Sequence, residues 1–246
     1  MILTTDLDNT LIFSYKRDIG SVKRCVELYN GREISFITNK TYELLKKVKN
    51  KMLIVPVTTR TVEQYKRIDL GIGDFPYALV CNGGVMLRNG EEDIQWYKES
   101  TDRIADSIPE LKKAVRLLEK DLDVCFEIRF IRELFVFTKS NTPAQTAQRL
   151  REQLDPDKAE VFTNGMKVYA VPNGLNKGTA VQRLKAFLGE NMVIAAGDSE
   201  FDIPMLKSSD HAVCPSGLEF SYNGKITFCG NDELLSECML NTALLT

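Results

Sequence analysis

Asp6, Asp8, Asp198 and Asp202 supply carboxylates, Lys177 a cation and Thr58 a hydroxyl, and each stands where an apolar run breaks or a helix begins. Carboxylates grouped with a lysine and a threonine are what a site for a divalent metal and a phosphate requires. Magnesium prefers hard oxygen ligands and takes few carboxylates, keeping waters and substrate oxygens for its other positions. Singly, each signal has a plainer reading. Asp, Asn and Thr close turns and cap helices, and a threonine suits a strand. A lysine opening a helix is ordinarily on the surface, and Gly197-Asp198-Ser199 would make a simple turn. The weight lies in their joint occurrence, in order, each at the end of a predicted element.

The elements that must position these residues follow from apolar patterning. Residues 1–5, 52–57, 77–81 and 192–196 are short apolar runs stopped by Asp, Thr, Asn or Gly, which suits buried strands. Helical spacing marks 22–29, 40–48 and 62–68, with a short strand at 34–37 between the first two. After the insertion, 177–188 reads as a helix ended by Gly189; 203–207 begins another, 212–213 is a short strand and 232–240 a last helix.

Between the flanks the rhythm changes. Strands are expected at 85–88 and 94–97 around Asn89-Gly90, then at 126–131, 134–138, 160–162 and 167–171. One helix carries Ile108, Leu111, Val115 and Leu118 and is opened by Ser107 and Pro109. Another runs over 142–154, capped by Thr142 with Pro143 at its start. The whole predicts an α/β protein: a doubly wound, Rossmann-like parallel-sheet core of residues 1–84 and 173–246, with an inserted α+β cap of residues 85–172. Ligands of such sheets gather at the carboxyl ends of the strands, where Asp6, Asp8, Thr58 and Asp198 fall.

A formal net charge of −2 argues against nucleic acid or an anionic membrane as partner. The basic cluster at 46–51 reads as the solvated end of a helix. Six cysteines carry no CxxC or zinc spacing. Cys81, Cys125 and Cys214 sit among apolar residues as small buried hydrophobes, so reduced thiols and a cytoplasmic location are expected. Asp6 and Asp8 interrupt the first residues too early for a signal peptide, and no apolar run reaches the length of a membrane helix.

The segments Asp6-Leu7-Asp8-Asn9-Thr10-Leu11, Val55-Pro56-Val57-Thr58-Thr59-Arg60, Asn176-Lys177-Gly178-Thr179-Ala180 and Gly197-Asp198-Ser199-Glu200-Phe201-Asp202 resemble, in order, the four motifs of the haloacid dehalogenase superfamily. With Asn82-Gly83-Gly84, they look most like its Cof and sucrose-phosphate phosphatase branch, which carries an α/β cap where this chain has its insertion. The resemblance implies a Mg2+-dependent phosphoric monoester hydrolase acting on a small phosphorylated metabolite, such as a sugar phosphate. By that likeness Asp6 is the nucleophile and becomes an aspartyl-phosphate, while Asp8 is the acid/base. Thr58 and Lys177 hold phosphoryl oxygens. The metal ligands are the Asp6 carboxylate, the Asp8 carbonyl and the Asp198 carboxylate, and Asp202 either holds metal-bound water or orients Lys177.

Two residues depart from that pattern: Phe201 where the branch usually has Asn, and Thr59 where it has Gly. Arg60 and Asn82 are candidate substrate-rim residues, and Arg129 and Arg132 are either substrate contacts or the wet face of a strand. His211 has no role in a chemistry that uses Asp as acid/base. Two other readings stand beside the hydrolase: a phosphotransferase or phosphomutase of phosphomannomutase type, and a non-catalytic binding protein on the same fold. Substrate and oligomeric state have no signature in the sequence.

Overall fold

The computed structural model describes residues 1–230 and 232–246. Its central sheet has five strands in the order Lys225–Cys229, His211–Pro215, Val193–Ala196, Ile2–Thr5 and Leu53–Pro56, every neighbouring pair parallel. Ile2–Thr5 and Val193–Ala196 are buried along their whole length. Val193–Ala196, covered on both faces, reads as an unbroken apolar run instead of an alternating one, and Ile2–Thr5 buries two threonines after its apolar pair. Helices Asn39–Lys51 and Leu235–Leu245 bring Leu44, Leu45, Val48, Met239 and Leu240 against Leu3, Ile54 and Ile194. Alternate positions along each strand point to the opposite face, where helix Ile203–Lys207 packs against Val193–Ala196 and His211–Pro215 and meets helix Lys177–Leu188. This is the expected doubly wound α/β core.

A second, three-stranded sheet, in the order Phe13–Ser14, Arg32–Thr38 and Lys23–Tyr29, overturns the helix expected over 22–29. Asn30 and Gly31 take φ of +50° and +72° between the paired residues Tyr29 and Arg32. Two successive positive φ values make a tight hairpin turn whose twist matches the strands it joins, so both flanks must be strands. Val26 and Glu27 turn inward together, because register shifts occur on both sides of Glu27 and a bulge re-aims a side chain.

A third sheet orders Tyr77–Val80, Val85–Arg88 and Glu91–Glu92. Asn89 and Gly90 form the turn, with φ of +51° and +82°. The two-residue turn fixes Glu91 opposite Arg88, so the returning strand is 91–92. The strand expected at 94–97 is instead the start of helix Ile94–Arg103, whose buried Trp96 and Ser100 lie one turn apart.

By its internal contacts the chain forms two compact units, Met1–Asp93 with Lys177–Thr246, and Ile94–Asn176. The hairpin at 85–92 lies in the first of these. The second unit holds an antiparallel sheet ordered Ala159–Asn164, Lys167–Pro172, Phe135–Lys139 and Arg129–Ile131. Helices Ile108–Leu118 and Pro143–Gln153 cover it, burying Leu111, Leu118, Ala147 and Leu150 with Val136 and Val168. Thr142 precedes the latter helix but makes no side-chain cap, and neither does Ser107 before the former. Arg132 lies in a turn with φ +49° and stacks on the Tyr97 ring, while Arg129 pairs with Glu127. Cys81 and Cys214 are buried and unbridged as expected, but Cys125 is exposed. No helix among the described residues is long and apolar enough to cross a membrane.

Candidate active site

Strand Ile2–Thr5 delivers Asp6 at its carboxyl end, where the Asp6 N–H donates to the Ala196 carbonyl at 2.9 Å. The chain then turns back on itself. Thr10, Leu11 and Ile12 all donate to the Leu7 carbonyl, and Asn9 adopts φ +62°. The turn separates the two acidic side chains: Asp6 is buried and Asp8 half exposed. Just past strand Leu53–Pro56, the Thr58 N–H donates to the Leu79 carbonyl, and the Thr58 hydroxyl accepts from the Arg60 N–H at 3.2 Å. Thr58 is buried beside Asp6's strand.

Lys177 joins the carboxylates. Its Nζ donates to Asp6 Oδ1 at 2.5 Å and to Asp202 Oδ1 at 2.6 Å, with 2% of the side chain exposed. An ammonium with so little water needs such partners, because unpaired burial of a charge is prohibitively costly. Burial alone would lower the Lys177 pKa; Asp202 and Asp6 more than reverse that and leave it raised. The remaining Asp202 oxygen accepts from the N–H groups of Asp198 and Ser199, each at 3.1 Å, and from the Ser199 hydroxyl at 2.9 Å. Both oxygens of Asp202 are thus committed to the chain itself, and its contact is with Lys177.

Two glycines make these approaches feasible. A Cβ on Gly197 would fall 2.2 Å from the Asp202 Cβ, and one on Gly178 would fall 2.3 Å from the Pro204 carbonyl oxygen. Asp198 receives the Thr10 hydroxyl at 3.4 Å. Burial pushes its carboxyl up to about 6, with Asp202 adding to the shift and Lys177 opposing it. Burial likewise raises Asp6 well above the usual carboxylate range; Lys177 lowers it, while Asp202, Asp8 and Asp198 raise it further.

Asp6, Asp198 and Asp202 each offer an oxygen within 4.8 Å of the others. Crowded hard-oxygen donors suit a magnesium ion, and a divalent charge would relieve the repulsion that raises Asp6 and Asp198. With Asp202 engaged elsewhere, Asp6 and Asp198 are the carboxylates that fit the role.

The structure brings Asp6, Lys177, Asp198 and Asp202 into one hydrogen-bonded group, with Thr58 just past the end of the adjoining strand. The two rim candidates lie beside Asp8 and Thr58. The Arg60 side chain is 12% exposed and grips Asp8 with two bonds, Nε to Oδ2 and Nη2 to Oδ1, both 2.8 Å. Asn82 is buried, and its N–H donates to the Thr58 carbonyl at 2.9 Å. Phe201 is buried and Thr59 partly so. His211 begins its strand, at the sheet edge opposite Asp6, and bonds Thr227 at 2.8 Å; burial lowers its pKa. Glu27 and Arg67, which no motif marks, also reach this region through Arg60.

A sequence profile of haloacid dehalogenase-like hydrolases matches residues 118–215, a stretch that includes Lys177, Asp198 and Asp202. No curated protein sequence matches the chain. Among solved structures, a sucrose-phosphatase from Synechocystis sp. PCC6803, seen with sucrose and phosphate, superposes with a TM-score of 0.69 at 15% identity, covering 100% of this chain and 97% of that one. A sugar phosphatase of haloacid dehalogenase subclass IIB gives 0.64 at 14% identity and covers 99% of both chains. An IMP-nucleotidase from Plasmodium falciparum gives 0.62 at 14% identity, covering 100% of this chain and 68% of its own. At these identities the likeness is one of fold.

Proposed function

We propose that this chain, a haloacid dehalogenase-like protein by profile and fold, hydrolyses the phosphate ester of a small metabolite through an aspartyl-phosphate on Asp6. A sugar phosphate is the favoured substrate class, on the strength of the phosphatases whose fold it shares. One observation carries the reading: Lys177 bonds Asp6 and Asp202 together at the carboxyl edge of a parallel sheet, with Asp198 alongside.

The Asp6 carboxylate attacks phosphorus, forming an acyl phosphate as the ester P–O bond breaks. Asp8 gives its proton to the departing oxygen. The same carboxylate then takes a proton from water, whose oxygen attacks phosphorus, releasing phosphate and restoring Asp6. Lys177 and Thr58 hold the transferring oxygens, and Asp202 aims Lys177. Asp6, Asp198 and the Asp8 carbonyl would hold Mg2+, which when bound neutralises phosphate charge so that an anionic nucleophile can approach. Recognition of the rest of the substrate is assigned to the inserted unit.

The test is a phosphate-release screen over sugar phosphates, nucleotides and coenzyme phosphates with magnesium, comparing wild type with Asp6→Asn. Wild-type turnover that disappears in the variant is expected. Full activity in Asp6→Asn, or none in wild type, defeats the proposal.

A further inference from the structure

Asp8 is held by a row of charges that begins outside the motifs. The fork of Arg60 closes on both Asp8 oxygens, and its third nitrogen, Nη1, reaches Glu27 Oε1 at 2.9 Å. Arg67 meets the same Glu27 oxygen, through Nε at 3.1 Å and Nη2 at 3.0 Å. The Ser35 hydroxyl donates to Glu27 Oε2 at 2.6 Å. The order is Asp8, Arg60, Glu27, Arg67, with signs alternating along it.

The exposures decide which member governs the others. Glu27's side chain is fully buried, Arg60's is 12% exposed, Arg67's 30% and Asp8's 53%. A buried carboxylate has no water to fall back on, so Glu27 keeps its two arginines. Asp8 is the most exposed of the four. Arg60 is fixed at its backbone too: its N–H donates to Thr58 Oγ1 and its carbonyl accepts from the Cys81 N–H. Its planar guanidinium then presents one edge to Glu27 and the other to Asp8, which a lysine in its place would not do.

Glu27 lies on the hairpin formed by Lys23–Tyr29 and Arg32–Thr38, in the register-shifted segment that turns it inward. We infer that Glu27 is a positioning residue for the acid/base step: acting through Arg60, it fixes the orientation of the Asp8 carboxylate. The hairpin is thereby part of the chemical apparatus. The inference rests on the role proposed above for Asp8.

A misplaced acid slows departure of a poor leaving group more than that of a good one, since only the former needs its proton. The experiment therefore compares kcat/KM for an alkyl phosphate with that for p-nitrophenyl phosphate, whose phenolate departs unprotonated. Glu27→Gln retains the side chain's size and is expected to lower the alkyl-to-aryl ratio by about ten-fold or more, a part of the ~100-fold or greater effect of a placed general acid. Arg60→Lys keeps the charge but loses the fork, so it should lower the ratio similarly. Glu27→Gln should add little in the Arg60→Lys background, as expected for residues acting through one path. If Glu27→Gln does not fold, the Arg60→Lys ratio decides. Equal slowing of both esters, an unchanged ratio or additive effects in the double variant overturn the inference. A wild-type protein that releases phosphate from neither ester overturns the functional reading beneath it.

Discussion

Lys177 Nζ lies 2.5 Å from Asp6 Oδ1, and the two residues are 171 positions apart in sequence. The contact joins the first strand of the sheet to the first turn of helix Lys177–Leu188, across the insertion. Both side chains are nearly dry, so the pair bears on folding as well as on the proposed chemistry. In the proposed reaction it would offer a cation to the phosphate beside the attacking carboxylate.

Replacing Lys177 by Met therefore removes the only cation in direct contact with either Asp6 or Asp202 among the described side-chain contacts. Loss of one member of a buried ion pair costs about 3–5 kcal/mol, and loss of one donor to a transferring group costs about 100-fold or more in turnover. Both effects are expected together, in urea unfolding and in phosphate release. Wild-type kcat/KM in Lys177→Met would remove Lys177 from the mechanism.

Asp198 links stability to pH. Its carboxyl sits at about 6 in the fold against the ordinary 3.8, burial being the main cause. The folded chain then holds a proton that the unfolded chain has released, so this contribution is full below about pH 3.8 and lost as pH rises through about 6. In metal-free buffer, Asp198→Asn should gain stability relative to wild type as pH increases across that window. Above the window magnesium should stabilise the wild type, by about 2.7 kcal/mol at a hundred times its Kd, and should have much less effect on the variant. Parallel pH profiles for the two proteins, with equal magnesium shifts, would rule out Asp198 as the linked group.

The four motif segments were legible because strand ends carry their own punctuation. Apolar runs at 1–5, 52–57 and 192–196 stop at Asp6, Thr58 and Gly197-Asp198, and a parallel sheet brings such ends to one edge. The hairpin at 23–38 was not legible: apolar spacing over 22–29 predicts a helix, and it is the positive φ values of Asn30 and Gly31 in the structure that make the segment a strand. Glu27 was not legible. Its inward direction depends on a register shift, and its value depends on Arg60 and Arg67, which sequence places 33 and 40 positions away. Arg60 itself reads as a substrate contact because a solitary arginine after a motif has no visible partner within its own segment.

Gly178 tests how tightly the helices must pack behind the site. A Cβ there meets the Pro204 carbonyl oxygen at 2.3 Å, a backbone atom that cannot rotate aside. Gly178→Ala should destabilise the fold by about 1–3 kcal/mol through overpacking, and should also slow turnover because Lys177 is its neighbour. Urea midpoints and kcat report the two separately. An alanine variant as stable as wild type would mean that helices Lys177–Leu188 and Ile203–Lys207 can separate without cost.

Asp202→Asn is the sharpest single substitution, because an amide cannot satisfy both sides of this residue. Asp202 Oδ1 accepts from Lys177, and Oδ2 accepts from the Asp198 and Ser199 N–H groups and the Ser199 hydroxyl. Asparagine has one acceptor oxygen and one donor NH2. If the oxygen faces Lys177, the NH2 opposes two backbone donors and loosens the loop that carries Asp198. If the oxygen faces the loop, the NH2 opposes the ammonium and Lys177 loses its aim. A buried donor left without an acceptor costs about 1–3 kcal/mol, and more beside a charge, so a lower melting temperature is expected in either orientation. Turnover should fall as well, with magnesium response weakened if the loop yields and retained if Lys177 yields. A variant that melts and turns over like wild type would show that neither set of Asp202 bonds matters to the fold or the reaction.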